Sequence, residues 1–244
     1  MRTSLILFDV DATLLRTDGA GMRCMIAAAR DVLGPALRWD GIEPSGGIDP
    51  VLLAEAARRS GLRIRPGDLE AFRDRYVELL AEEFAHSREG VRALSGVPDL
   101  LDRLRERPET ALGLLTGNFR ETAILKLRAA GLDPERFSLG AFAEDADTRP
   151  GLVLVALRKF EELYGRPVDR SRVVLVGDTP RDVAAALATG CRVLGVATGK
   201  YAIEDLQAAG AHAAVRTLED AGPLWRLLGA DDDSGPRPPG AGGR

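Results

Sequence analysis

Three short apolar runs in this 244-residue chain each end in residues able to do chemistry. Residues 5–8 lead into Asp9-Val10-Asp11-Ala12-Thr13, residues 112–115 into Thr116-Gly117-Asn118, and residues 173–176 into Gly177-Asp178-Thr179-Pro180-Arg181-Asp182. If the runs are neighbouring strands, Asp9, Asp11, Asp178 and Asp182 crowd one small volume. Two carboxylates about 4 Å apart repel by roughly 4 kcal/mol at an effective dielectric near 20. Such a cluster needs a cation or large pKa shifts. All-oxygen ligation with few protein ligands suits Mg2+, which keeps some of its waters and shares phosphate oxygens. The Thr116 hydroxyl suits an anion, as do the N–H groups of Gly117 and Asn118 at an expected helix start. Arg149, just before Pro150, is the candidate cation for holding phosphate oxygens.

Each of these residues has a plainer explanation when taken alone. An Asp after a strand is often a helix N-cap or turn residue, and Thr116 and Asn118 could be caps as well. Asp182 could merely favour a helix N-terminus, and a lone Arg149 could be a solvated charge. Lys126, Lys159 and Lys200 read as solvated. His86 and His212 have no partner motif. The joint occurrence at three run ends, in order, favours a site.

Positioning such a site needs a sheet. Residues 5–8, 112–115 and 173–176 read as buried strands, with 192–196 a fourth, 213–215 a weaker fifth and 137–142 an edge element. Helical patterns fill 120–130, 151–164, 180–188 and 219–228. Strands alternating with helices predict an α/β fold, a Rossmann-like three-layer arrangement around a mostly parallel sheet. Ligands of such sheets bind outside the carboxyl ends of the strands, where the three motifs lie. Between Gly19 and Gly90 only helical patterns occur (22–33, 51–59 and 69–86). This block reads as an inserted all-helical cap. The expected organisation is therefore a core of 1–16 and 91–229, a cap of 17–90, and a flexible Gly- and Pro-rich tail of 230–244.

Composition narrows the class. Hydrophobic residues make up 45% and charged residues 29%, ordinary for a globular protein, and the formal net charge is -4. No basic excess or cluster points to nucleic acid. No apolar segment approaches membrane-spanning length, and the short N-terminal apolar run stops at Asp9, so the cytoplasm is the expected location. Two cysteines, Cys24 and Cys191, lack metal-type spacing and read as reduced, buried thiols. Oligomeric state is not legible.

At these residues the sequence resembles the haloacid dehalogenase superfamily, specifically its phosphatase branch with a helical cap. Asp9-Val10-Asp11-Ala12-Thr13 matches the family's DxDxT motif, Leu115-Thr116-Gly117-Asn118 its second, and Gly177-Asp178-Thr179-Pro180-Arg181-Asp182 its acidic GDxxxD. Gly47-Ile48-Asp49-Pro50 is similar to a substrate-loop segment of phosphoglycolate phosphatase-like members. Two positions depart from the pattern: Arg149-Pro150 stands where a Lys is usual, and Ala12 where Gly is common. The resemblance implies that Asp9 attacks phosphorus to form an aspartyl-phosphate and that Asp11 serves the leaving oxygen and then the water. It implies Mg2+ held by Asp9, the Asp11 carbonyl and Asp178, with Asp182 ligating or orienting through water, and Thr116 and Arg149 on the phosphoryl oxygens. Gly117, Asn118 and Asp49 are the further phosphate- and substrate-binding candidates, with Arg16 and Arg23 as possible neighbours of the substrate. The expected partner is a small phosphate ester, 2-phosphoglycolate leading. A phosphomutase on the same scaffold and a phosphate-binding homologue without turnover are the alternatives.

Overall fold

The computed structural model describes residues 4–229, so the tail expected at 230–244 lies outside the described residues. The first strand, β1 (Ser4–Phe8), is buried throughout. After it come β2 (Leu15–Arg16), three helices α1 (Ala20–Leu33), α2 (Asp49–Arg59) and α3 (Asp68–His86), and β3 (Arg92–Ala93). The chain then alternates through α4 (Val97–Arg105), β4 (Thr110–Leu115), α5 (Arg120–Ala129), β5 (Leu139–Ala141), α6 (Arg149–Tyr164) and β6 (Val173–Gly177). It ends with α7 (Pro180–Ala188), β7 (Arg192–Val196), α8 (Ile203–Ala208), β8 (Ala213–Val215) and α9 (Gly222–Leu228).

Six strands pair in the order β5-β4-β1-β6-β7-β8, every pairing parallel. The chain leaves β1 toward β4 and β5, then returns to β1's other side with β6. The order therefore reverses around β1, where open sheets of this kind take ligands. Register carries the chemistry across: Phe8 pairs with Leu114 and Val176. Asp9, Thr116 and Asp178 thus leave three adjacent strands at one edge.

Side-chain alternation along β1 divides the core. Leu5 and Leu7 face a cluster with α6 and α7, including Val153, Phe160 and Val183, that continues into α1, α2 and α3. Ile6 and Phe8 face the opposite cluster, built with α4, α5 and α9 from residues such as Leu100, Leu127 and Trp225. This is a three-layer α/β fold of Rossmann-like form. Both cysteines are free and buried. Among the described residues, no helix is long and apolar enough to cross a membrane.

The chain between β2 and β3 is helical, and those two short strands pair antiparallel at its base. Its loop and helices press on the sheet edge. Asp49 N–H donates to Gly117 O at 2.8 Å, Phe72 meets Phe119 edge-on at 5.9 Å, and Glu43 pairs with Lys200.

Candidate active site

Asp9 follows directly on β1, and its N–H donates to Val176 O at 2.9 Å. This bond locks it between β1 and β6. Asp178 follows β6, and Asp182 lies in the first turn of α7. Thr179 caps α7 reciprocally: Asp182 Oδ2 accepts from Thr179 N at 3.1 Å and from Thr179 Oγ1 at 2.7 Å. The capping box thereby fixes the Asp182 carboxylate. Two glycines make room for the acids. A Cβ on Gly177 would fall 2.3 Å from Asp182 Cγ, and one on Gly199 would fall 1.8 Å from Asp178 Oδ2. Asp9, Asp178 and Asp182 are all buried, each with an oxygen within 4.8 Å of the others'.

Arg149 opens α6 and is buried among these acids. Its Nη2 lies 2.9 Å from Asp9 Oδ2 and 2.6 Å from Asp182 Oδ1, and its Nε donates to Asp182 Oδ1 at 2.7 Å. Attraction to Asp182 and Asp9 outweighs burial and holds the guanidinium above its usual pKa. The balance differs for the acids. Burial, against the pull of Arg149, raises Asp9 to about 6. Burial, followed by repulsion from Asp9 and Asp182, raises Asp178 to about 8. Three carboxylates against one guanidinium leave an excess of buried negative charge. Oxygen donors in that balance fit a divalent cation, which would bring both carboxyls back down.

On the other side of Asp9 a second network forms. Asp11 is half-exposed, and its Oδ2 accepts from Asn118 Nδ2 and from Lys126 Nζ, each at 2.7 Å. Asn118 Nδ2 also donates to Thr116 Oγ1 at 2.8 Å, and its Oδ1 accepts from Lys126 at 2.6 Å. Thr116 Oγ1 accepts in addition from Asn118 N at 3.3 Å, which leaves the hydroxyl proton for a ligand. That contact also uses the Asn118 N–H expected to meet an anion directly. Asp49 is buried with its Oδ2 3.2 Å from Phe119 N, and burial raises its carboxyl to about 7. Ala12 adopts φ 57°, the left-handed region where glycine is at ease. The alanine therefore takes the turn at some cost in strain and leaves its geometry intact.

Asp9, Asp11, Asp49, Thr116, Gly117, Asn118, Arg149 and Asp178 line a single cavity of about 230 Å³. Asp182 stands behind it, holding Arg149. One expectation does not hold. Lys126, read as solvated, is 3% exposed and lines the cavity. Its helix turns the Thr122–Lys126 face inward, and Asp11, Tyr76 and Asp49 more than offset the burial that would lower its pKa. Arg16 and Arg23, for which a place beside the substrate and a surface role are equally open in the sequence, lie outside the cavity lining: Arg16 donates to Thr198 O, and Arg23 pairs with Glu83 at 2.6 Å. A long exposed side chain at the mouth of a fold reaches the nearest acceptor, whatever its place in sequence.

A doubly wound parallel sheet gathers carboxylates and a hydroxyl at its strand ends, with Arg149 and Lys126 buried beside them; this is the site of an α/β fold of the class that takes ligands at that edge. The model of the haloacid dehalogenase-like hydrolases matches residues 6–196, and the chain belongs to that family. It is 27% identical over 241 residues to the candidate pyrophosphatase PpaX of Caldanaerobacter subterraneus subsp. tengcongensis, covering 96% of this chain and 98% of that protein. CbbY from Rhodobacter sphaeroides, solved in complex with phosphate, is similar with a TM-score of 0.69 at 21% identity, over 90% of this chain and 96% of that one. A predicted phosphoglycolate phosphatase from Haemophilus somnus 129PT gives 0.65 at 19% identity, over 92% and 98%. At such identities the two solved structures speak for the fold alone.

Proposed function

We propose that this hydrolase is a Mg2+-dependent phosphatase of small phosphate monoesters, working through an aspartyl-phosphate on Asp9. The observation that carries the reading is the placement of Asp9. Its carboxylate is buried at the strand edge between a cation-deficient acid cluster and the Thr116–Asn118–Asp11 network, in one cavity. Asp9, the Asp11 carbonyl and Asp178 would hold the metal, with Asp182 beside them. When bound, Mg2+ supplies positive charge that lets an anionic nucleophile approach a phosphoryl dianion.

The chain's own groups do the rest. Asp9 attacks phosphorus and takes the phosphoryl group as the bond to the leaving oxygen breaks. Asp11, the half-exposed acid on the cavity wall, gives a proton to that oxygen and later takes one from the attacking water. The Thr116 hydroxyl and Arg149 hold the phosphoryl oxygens, and Asp182 fixes Arg149 in place. Residues 17–90 are proposed to act as a cap whose loop at Gly47 and Asp49 closes the cavity over Gly117 and limits bulk water. The core would then be 1–16 with 91–229.

The substrate proposed is a small phosphate ester, with 2-phosphoglycolate as leading candidate. The name of PpaX, a candidate pyrophosphatase, points to a small phosphorylated compound as well. A phosphate-release panel with and without Mg2+ tests the reading. Release is expected only with the metal, and Asp9→Asn should lower it by about 1,000-fold or more. An Asp9→Asn protein as fast as its parent would remove Asp9 from the reaction.

A further inference from the structure

Lys126 carries a buried charge that the reaction above does not use. It rises from α5 with Nζ 2.7 Å from Asp11 Oδ2 and 2.6 Å from Asn118 Oδ1. Two of its three N–H groups are thereby occupied. Gly21 of α1 faces it: a Cβ there would lie 3.2 Å from Nζ and 3.4 Å from Tyr76 Oη. The ammonium thus stands where the Asp11 side of the cavity meets the helical insertion. Arg149 is committed to Asp9 and Asp182 on the opposite side. These two are the cations that line the cavity, and the wall beside Lys126 carries the Asp49 carboxyl together with Gly21, Met22, Met25, Leu52 and Tyr76.

Asp11 Oδ2 is held by Lys126 and Asn118, which leaves Oδ1 to serve the leaving oxygen. A leaving group that reaches Oδ1 comes to the carboxylate that Lys126 holds, within reach of the ammonium's third N–H. A buried ammonium with an unused donor gains from an anion on the substrate. Lys126 Nζ lies 2.7 Å from Asp11 Oδ2, the carboxylate that serves the leaving oxygen, so that anion lies within a few bonds of the phosphate.

We propose that Lys126 binds a second anionic group on the leaving side of the substrate. The site then selects small phosphorylated acids, either a phosphorylated carboxylic acid or a diphosphate, over neutral phosphate esters of equal size. This rests on the phosphatase reading and narrows its substrate.

The test compares kcat/KM for 2-phosphoglycolate, inorganic pyrophosphate and the neutral isostere 2-hydroxyethyl phosphate, in the full-length protein with Mg2+. The wild type should favour one of the two acids by roughly 10- to 100-fold, the worth of a hydrogen bond to a charged group. Which acid is favoured distinguishes a carboxylate from a phosphate. In Lys126→Met the ratio should collapse to within about threefold, whatever happens to absolute rate, and Lys126→Arg should keep most of it. Should Lys126→Met turn over too slowly, calorimetric binding of the same compounds to Asp9→Asn and to Asp9→Asn/Lys126→Met supplies the ratio. No wild-type preference, or a preference that survives Lys126→Met, overturns the assignment while leaving the phosphatase reading intact. No release from any phosphate ester with Mg2+ overturns both.

Discussion

Asp49 shows what burial does to a single acid in this site. It is 5% exposed, and burial lifts its carboxyl from 3.8 to about 7 against the pull of Lys126. Between those two values the folded chain keeps a proton that the unfolded chain releases. Stability from this group is therefore full at low pH and falls as pH rises toward 7. Asp49→Asn removes the dependence. Urea denaturation across that range should show the variant gaining on the parent by up to about 1.4 kcal/mol per pH unit, with no gap below pH 4. A constant gap at every pH would show that Asp49 is not titrating in this window. Single residues were legible in sequence where their type recurs at strand ends: Asp9, Asp11, Thr116, Asn118 and Asp178 all line the cavity. Lys126 was not, because a lysine within a helix ordinarily reaches water. The signal available was its company, Ala123 and Leu127, which are fully buried on the same helix.

At the scale of elements, the contact between the loop at Gly47 and the strand end at Gly117 matters most. A Cβ on Gly117 would fall 1.8 Å from Gly47 O, closer than any packing allows. Gly117→Ala must lift the loop that carries Asp49 while leaving the sheet paired. Turnover is expected to fall by about 100-fold, as for a misplacement of about 1 Å at a site, with circular dichroism near that of the parent. Unchanged kinetics would mean that this seating plays no part in the reaction. Strands were legible from apolar runs, and 192–196 matches β7 end to end. The pair β2 and β3 was not expected, since two residues carry no periodicity. The helix α4 was also missed, although Val97, Leu100, Leu101 and Leu104 mark an apolar face around Pro98 at its start. The last helix begins at Gly222 rather than 219, where Asp220 turns the chain by accepting from Gly222 N.

For the whole molecule, the proposed metal site would tie folding to Mg2+. Asp9, Asp178 and Asp182 each place a carboxylate oxygen within 4.8 Å of the others', and folding brings their charges together at a cost that a bound Mg2+ would offset. Thermal melts should therefore rise with MgCl2, by about 2.7 kcal/mol of stability at a hundredfold excess over Kd, and Asp178→Asn should lose most of the rise. A melting temperature indifferent to Mg2+ would show that the folded chain does not bind it. The α/β architecture was legible because alternating patterns dictate layers, whereas the seating of the insertion on the sheet depends on side chains far apart in sequence. All of it converges on Asp9. The most direct measurement is rapid acid quench of enzyme mixed with a limiting amount of hydrolysed ester, followed by mass spectrometry of the peptides. A phosphoryl adduct on Asp9, appearing before free phosphate and absent in Asp9→Asn, is the expected result. Full phosphate release with no adduct at Asp9 at any time would contradict it.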